Sequence, residues 1–238
     1  MKRSFIICAS CLLALTAIAV AQSNIDNSVP NKHAWGENIG WTNWHDADGG
    51  LDGVFVGPFV MSGYIWGENV GWINVGSGAP TAPPFYANVD GTDFGVNIDA
   101  DGDLHGWGWG ENIGWINFDG GAAAAPPQPA RIECGDVNGG VSARLTGYAW
   151  GENVGWINLD EIDPTKFIAL DLASTPLNCD VNQDGFRDGL DVQPFVTILL
   201  MGGGSWQNLC SGDVEAVLDG VIDLDDVTPF VDCLLTKP

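Results

Sequence analysis

Residues 180–191 read Asp-Val-Asn-Gln-Asp-Gly-Phe-Arg-Asp-Gly-Leu-Asp. Oxygen-bearing side chains fall at positions 1, 3, 5, 9 and 12 of this run, and glycine stands at position 6. Alternate residues of a curled loop point inward, so Asp180, Asn182, Asp184, Asp188 and Asp191 can converge on one centre. Position 7 lends a backbone carbonyl, here that of Phe186, and Gly185 permits the sharp bend. A hard cation that takes six to eight oxygens suits such a donor set, which points to Ca²⁺. Position 12 is Asp191, one methylene shorter than the usual glutamate.

A loop of this kind needs an element to hold it. Val192, Phe195, Val196 and Leu199 recur at helical spacing, and Pro194 lies in the first turn, where a missing N–H costs little. The pattern returns 35 residues later: 227–231 copies 192–196, and Leu234-Leu235 copies Leu199-Leu200. Two loop-helix units would pack their apolar faces together. In the second copy, Asp213-Val214-Glu215 looks like a loop start, with two extra residues before Asp219. A strict offset instead puts Glu215 at position 1 and Val217 at position 3. Asp213, Glu215, Asp219, Asp223 and Asp226, with the Val221 carbonyl, are the candidate ligands of this second site.

The duplicated pattern resembles the type I dockerin module, in the variant found at the C-termini of many exported planctomycete proteins. The resemblance covers residues 179–238. It implies a small calcium-folded module that docks onto a cohesin-like or other protein partner, with the residues named above as ligands by matching position. In that family positions 10 and 11 often carry partner recognition; here they are Gly189-Leu190 and Leu224-Asp225. If the two halves pack antiparallel, Cys179 lies near the end of the second helix. That favours a Cys179–Cys233 disulfide and leaves Cys134 and Cys210 over.

The middle of the chain carries four copies of Trp-Gly-Glu-Asn-(Ile/Val)-Gly-Trp, at 35–41, 66–72, 109–115 and 150–156. Their starts are 31, 43 and 41 residues apart, so the repeat is real but uneven. Asn43, Asn74, Asn117 and Asn158 follow at one offset. Each box reads as a tight β-hairpin with Glu-Asn at its tip, because Asn tolerates positive φ. Further strands are expected at 54–56, 94–99, 130–133 and 141–145, with turns at Asp101-Gly102 and Asn138-Gly139. Pro- and Ala-rich joints at 78–84 and 120–129 separate the units. The WGEN-type repeat also looks like repeats in exported bacterial surface proteins.

Eight of the 11 tryptophans lie in the boxes. One reading is structural: a unit this small stacks Trp on its neighbours as core. The other is a sugar-binding platform, with Trp66 and Trp109 as ligand-binding rings. Glu37, Glu68, Glu111 and Glu152 are placed identically, whereas acid catalysis needs two carboxyls in different environments. They read as turn residues. His33, His45 and His105 show no metal or triad spacing, and no nucleophile or phosphate-loop motif is present. Asp46–Asp52 and Asp99, Asp101 and Asp103 read as turns, with calcium as the alternative.

The chain has 238 residues, 31 acidic against 8 basic, and a formal charge of −23. That argues strongly against a nucleic-acid binder and equally against docking on an anionic membrane surface. Lys2 and Arg3, an apolar run to Val20 and the Ala19-Val20-Ala21 site read as a signal peptide over 1–21, so an exported, secreted or cell-surface protein without a membrane span is expected. The expected plan is mainly β: an antiparallel all-β repeat domain over 22–172, sandwich, barrel-like or propeller-like, a linker over 173–178, and a small all-α duplicated calcium loop-helix domain over 179–238. The expected function is non-catalytic, calcium-dependent attachment. The alternative is a carbohydrate-binding component of a polysaccharide-degrading assembly.

Overall fold

The computed structural model describes residues 23–27, 31–45, 53–134, 143–160, 166–171, 179–215 and 221–236. The expected signal peptide, the 46–52 aspartates, the Asn138-Gly139 turn, the 173–178 linker and Asp219 lie outside these residues.

All four boxes are hairpins: β1 (His33–Gly36) with β2 (Gly40–Asn43), β4 (Met61–Gly67) with β5 (Gly71–Ser77), β7 (Leu104–Gly110) with β8 (Gly114–Asn117), and β11 (Tyr148–Gly151) with β12 (Gly155–Asn158). In each, Trp opposes Trp and Gly opposes Gly across the pair. The hairpins stand side by side through β1–β12, β11–β8 and β7–β5. The β2–β4 pairing closes them into an eight-stranded antiparallel barrel. Of the three architectures open to the sequence, the barrel is the one that forms. β3 (Val54–Val56) and β6 (Val96–Ile98) pair with β4 and β7 outside the eight.

Strand alternation decides what fills the barrel. Ala34, Thr42, Ile65, Ile73, Ile116, Ala149 and Ile157 are buried, with Trp44, Phe118 and Leu159 from just beyond the boxes. The box tryptophans have the opposite parity and face outward. Six of them are 37–39% exposed. The reading of these rings as core is therefore corrected: the core is mostly aliphatic, and its buried indoles are Trp44 and Trp206, both outside the boxes.

The rest of the box closes the barrel's end. The Ile or Val of each turn tucks inward, and Ile39, Ile113 and Val154 are buried. A Cβ on Gly36, Gly67, Gly110 or Gly151 would come within 2.3–2.7 Å of that side chain in its own box. The second glycine, as at Gly40 (φ 73°), takes the left-handed conformation that ends the turn. The Asn side chains link the turns in a ring. Asn38 donates to the Val154 carbonyl, Asn153 to Ile113, Asn112 to Val70 and Asn69 to Ile39, at 2.9–3.1 Å. The asparagine after each box also has one job: Asn43, Asn74, Asn117 and Asn158 each accept from the backbone N–H two residues on.

A second sheet, β13 (Ile168–Leu170), β10 (Ala143–Thr146) and β9 (Arg131–Cys134) in that order, adjoins the barrel. The expected joint at 120–129 holds a 3-10 turn, Gly120–Ala123.

The expected all-α duplicated domain is not what forms at the C-terminus. Three short helices stand there among loops: α1 (Val192–Met201), α2 (Trp206–Gly212) and α3 (Val227–Leu235). α2 belongs to neither sequence copy. Gly202-Gly203-Gly204, all at positive φ, ends α1, and Ser205 then caps α2 in a reciprocal capping box with Asn208. α2 packs on the β body rather than within a helical core. Trp206 is buried in the main core, its backbone N–H donates to the Ala100 carbonyl, and Cys210 is bonded to Cys134 of β9. The second disulfide is Cys179–Cys233, as the sequence favours. Phe195 and Phe230, at equivalent places of α1 and α3, stack at 4.0 Å.

Each Asn link of the turn ring is worth about 1 kcal/mol net. Asn112→Ala should lower the melting temperature by roughly 2–4 °C, while Glu111→Gln, next to it but outside the ring, leaves it unchanged; thermal circular dichroism of the two variants measures this.

Candidate functional site

The loop at 180–191 is folded around its own carboxylates. Asp180 accepts from the amides of Asp184 (3.1 Å) and Gly185 (2.8 Å). Asp191 accepts from Asn182 (3.0 Å) and Asp188 (2.8 Å). Asn182, Asp184 and Asp188 each accept from the amide two residues on. Asp191 stands at the N-terminus of α1 but makes no side-chain cap there, because its carboxylate is turned back into the loop. Asp180 and Asp191 are 2% and 0% exposed. Among the described residues no basic side chain pairs with either, although Arg187 is in the same loop. Burial pushes the Asp180 carboxyl above its usual range, against the loop amides that favour the anion.

The loop before α3 repeats this plan. Asp226, fully buried, accepts from Val214, Glu215 and Asp223 at 2.7–3.0 Å and makes no helix cap. Glu215 and Asp223 thus hold the places of Asn182 and Asp188 around Asp191. By this match Asp213 stands in sequence where Asp180 does, with two extra residues before Asp226. Oxygens of Glu215, Asp223 and Asp225 lie within 4.8 Å of one another. Asp225 was not among the expected ligands. Its spacing from Asp223 was visible, but the matching position of the first loop is Leu190. Val221 and Phe186 are exposed. The donors of both loops are oxygens alone, and each carboxylate oxygen of Asp191 accepts a single amide bond, keeping further acceptor capacity. The residues present fit a hard divalent cation.

The barrel wall carries the second feature. Trp66 and Trp109, the two rings singled out from sequence, line one groove of about 850 Å³ with Tyr64, Trp72, Asn74 and Glu111. A second groove, about 580 Å³, lies between the fourth and first hairpins and is lined by Trp35, Glu37, Tyr148, Trp156 and Asn158. Indole faces beside a carboxylate and an amide can take a sugar by stacking and hydrogen bonding, or a cation by its charge.

His105, isolated in sequence, bridges Asp119 (2.6 Å) and Asp99 (3.0 Å). The partners come from the turn after β6 and the end of β8, a juxtaposition that residue spacing does not reveal. Asp99 also accepts from the amides of Asp101 and Asp103, so this aspartate cluster is a turn held by its own side chain. Burial opposes the charge on His105, but Asp119 and Asp99 outweigh it and hold its pKa above the ordinary value.

Two disulfides are the chemistry of an oxidising compartment. No helix among the described residues is long and apolar enough to cross a membrane. No family model matches the chain, and neither does any curated protein or solved structure.

Because the folded pKa of His105 is raised, its stabilisation is complete below the unfolded value of about 6.5 and fades as pH rises through the folded pKa. The melting-temperature gap between the wild type and His105→Gln should therefore be wider at about pH 5.5 than at about pH 8.5. Scans at the two pH values test this, and a gap that widens with pH contradicts it.

Proposed function

We propose that this is an exported, non-catalytic attachment protein, in which a closed barrel is joined to a C-terminal segment that calcium orders for docking onto a cohesin-like or other protein partner. The observation that carries the reading is the pair Asp191 and Asp226. Each is fully buried, and each is turned from the helix it precedes into a ring of loop amides. Burying carboxylates without a counter-charge costs several kcal/mol, and a cation held among them removes that cost. Asp180, Asn182, Asp184, Asp188 and Asp191, with the Phe186 carbonyl, would hold the first ion. Asp213, Glu215, Asp223, Asp225 and Asp226 would hold the second. Calcium supplies charge and coordination there, and the chain's residues do the ordering.

The docking face is supported by apolar side chains that folding leaves in solvent. Val192, Val196 and Leu200 run along α1, and Val231 and Leu235 hold the matching places on α3. Leu200 and Leu235 are 76% and 75% exposed, more than a solitary surface leucine would lead one to expect twice at equivalent sites. A non-catalytic role is supported by the equivalence of the four box glutamates, all exposed at the same turn position. Export is supported by the two disulfides and the apolar leader sequence.

The polysaccharide reading has one observation of its own: Trp66 and Trp109 share a groove with two amide side chains, Asn74 and Asn112. Retention on an insoluble polysaccharide, lost in Trp109→Ala without loss of melting temperature, would favour it.

Calcium added to chelator-treated protein should release or absorb heat, raise helical circular dichroism and, at a hundredfold excess over Kd, add about 2.7 kcal/mol of stability. Asp191→Ala should remove most of the response at the first loop. In the presence of calcium a partner should be captured, and it should be lost both with chelator and in Leu200→Lys with Leu235→Lys. Absence of any calorimetric signal, with a fold indifferent to chelation, overturns the proposal.

A further inference from the structure

The second tryptophan of each box occupies one repeated place on the barrel wall. Trp41, Trp72, Trp115 and Trp156 each meet the first tryptophan of their own box edge-on, at centroid distances of 4.7–4.9 Å. Each also meets a ring two residues before the box, His33, Tyr64, Trp107 or Tyr148, at 6.0–6.4 Å. His33 shows that the first copy keeps an aromatic ring here despite its divergent sequence.

What the chain adds to this place differs among the four. At Trp41 it is the ammonium of Lys166, 4.7 Å from the ring centroid. At Trp115 it is Phe94, at 5.1 Å. At Trp72 and Trp156 no further ring or cation is added among the described residues. These two open into the grooves already described, and each groove is also lined by a glutamate of the adjacent hairpin, Glu111 or Glu37.

We propose that the grooves at Trp72 and Trp156 bind lysine side chains of a partner polypeptide, in the way Lys166 sits on the equivalent Trp41 within this chain. An ammonium over an indole face is held by the ring's quadrupole, and a carboxylate at the groove adds a direct charge partner. The other repeated positions of the box are explained without the glutamate: glycines make the turn, Asn links the ring of turns, and Ile or Val plugs the barrel. The glutamate is the residue left to face a ligand. An excess of 31 acidic over 8 basic residues steers cations toward this surface and repels anions. A neutral sugar would stack on the same rings but would draw nothing from that field. The inference does not depend on calcium at the C-terminal loops, so binding should be the same with and without chelator.

The test uses the full chain, tryptophan fluorescence and calorimetry. The probes are a short alternating alanine–lysine peptide, the same peptide with every lysine Nε-acetylated, and cellohexaose as a neutral sugar. The lysine peptide should bind at two sites, and acetylation should weaken it about tenfold or more. Glu37→Gln with Glu111→Gln should weaken it severalfold at unchanged melting temperature. Glu133→Gln with Asp232→Asn removes the same charge from exposed positions outside the grooves and should leave binding unchanged. Lys166→Ala should open the Trp41 place and raise the number of sites to three. The proposal is overturned if the acetylated peptide binds equally, if the control pair weakens binding as much as the groove pair, if Lys166→Ala adds no site, or if cellohexaose binds and the lysine peptide does not.

Discussion

Closure of the eight-stranded ring is the constraint from which most of this molecule follows. Strands of four residues, such as β1, β2, β8 and β12, are too short to hold a sheet with free edges. Pairing β2 with β4 removes the edges. The Asn-to-carbonyl ring then ties each turn to its neighbour at the barrel's end. Because every turn must present both an Asn donor and an Ile or Val carbonyl at the same height, the box tolerates little variation within itself. The segments between boxes escape this requirement. They differ in length and carry β3, β6, β9 and β10.

This separation decides what could be read from residues alone. The hairpins were legible, since Gly-Glu-Asn between two tryptophans is a turn signal that needs no distant partner. The direction of the indoles was not. Stacking them as core presumes repeats piled on one another, whereas the interior of an eight-stranded barrel is narrow and takes Ala, Thr and Ile. The strand order β1–β12 joins the first and last hairpins, and no local pattern encodes that. His105 was missed for the same reason, its two carboxylates lying six residues before and 14 after it on different elements. Cys179–Cys233 was legible because it follows from matching the two halves. α2 was not: its seven residues have no helical apolar period, and what fixes them is Trp206 and Cys210 seated on the β body.

At the C-terminus residue spacing marked the segment that closes on Asp191, but the all-α domain expected around it does not form. The loop is a local object, set by carboxylates accepting from amides two to twelve residues away, and it survives two extra residues before Asp226. The domain was an inference about what the helices would pack against. Once the triglycine at 202–204 breaks the chain and Trp206 finds the barrel side, the segment is anchored from outside. The Phe195–Phe230 stack is then left as a small core of its own.

Charge connects the two ends of the molecule. Among the described residues the chain's few cations are engaged on the β body: Arg131 with Asp103, Arg144 with Asp160, Lys32 with Asn27, and Lys166 on Trp41. Arg187 lies in the first loop, yet among the described residues no basic side chain pairs with Asp180, Asp191 or Asp226, and none lies over Trp72 or Trp156. With 31 acidic residues against 8 basic ones, the chain is short of cations for its buried and groove-lining carboxylates. On the readings proposed above, the deficit would be met from solution, by a small hard ion where oxygens converge and by a larger soft-faced cation where indoles do. The local donor set, oxygen cage or aromatic wall, decides which.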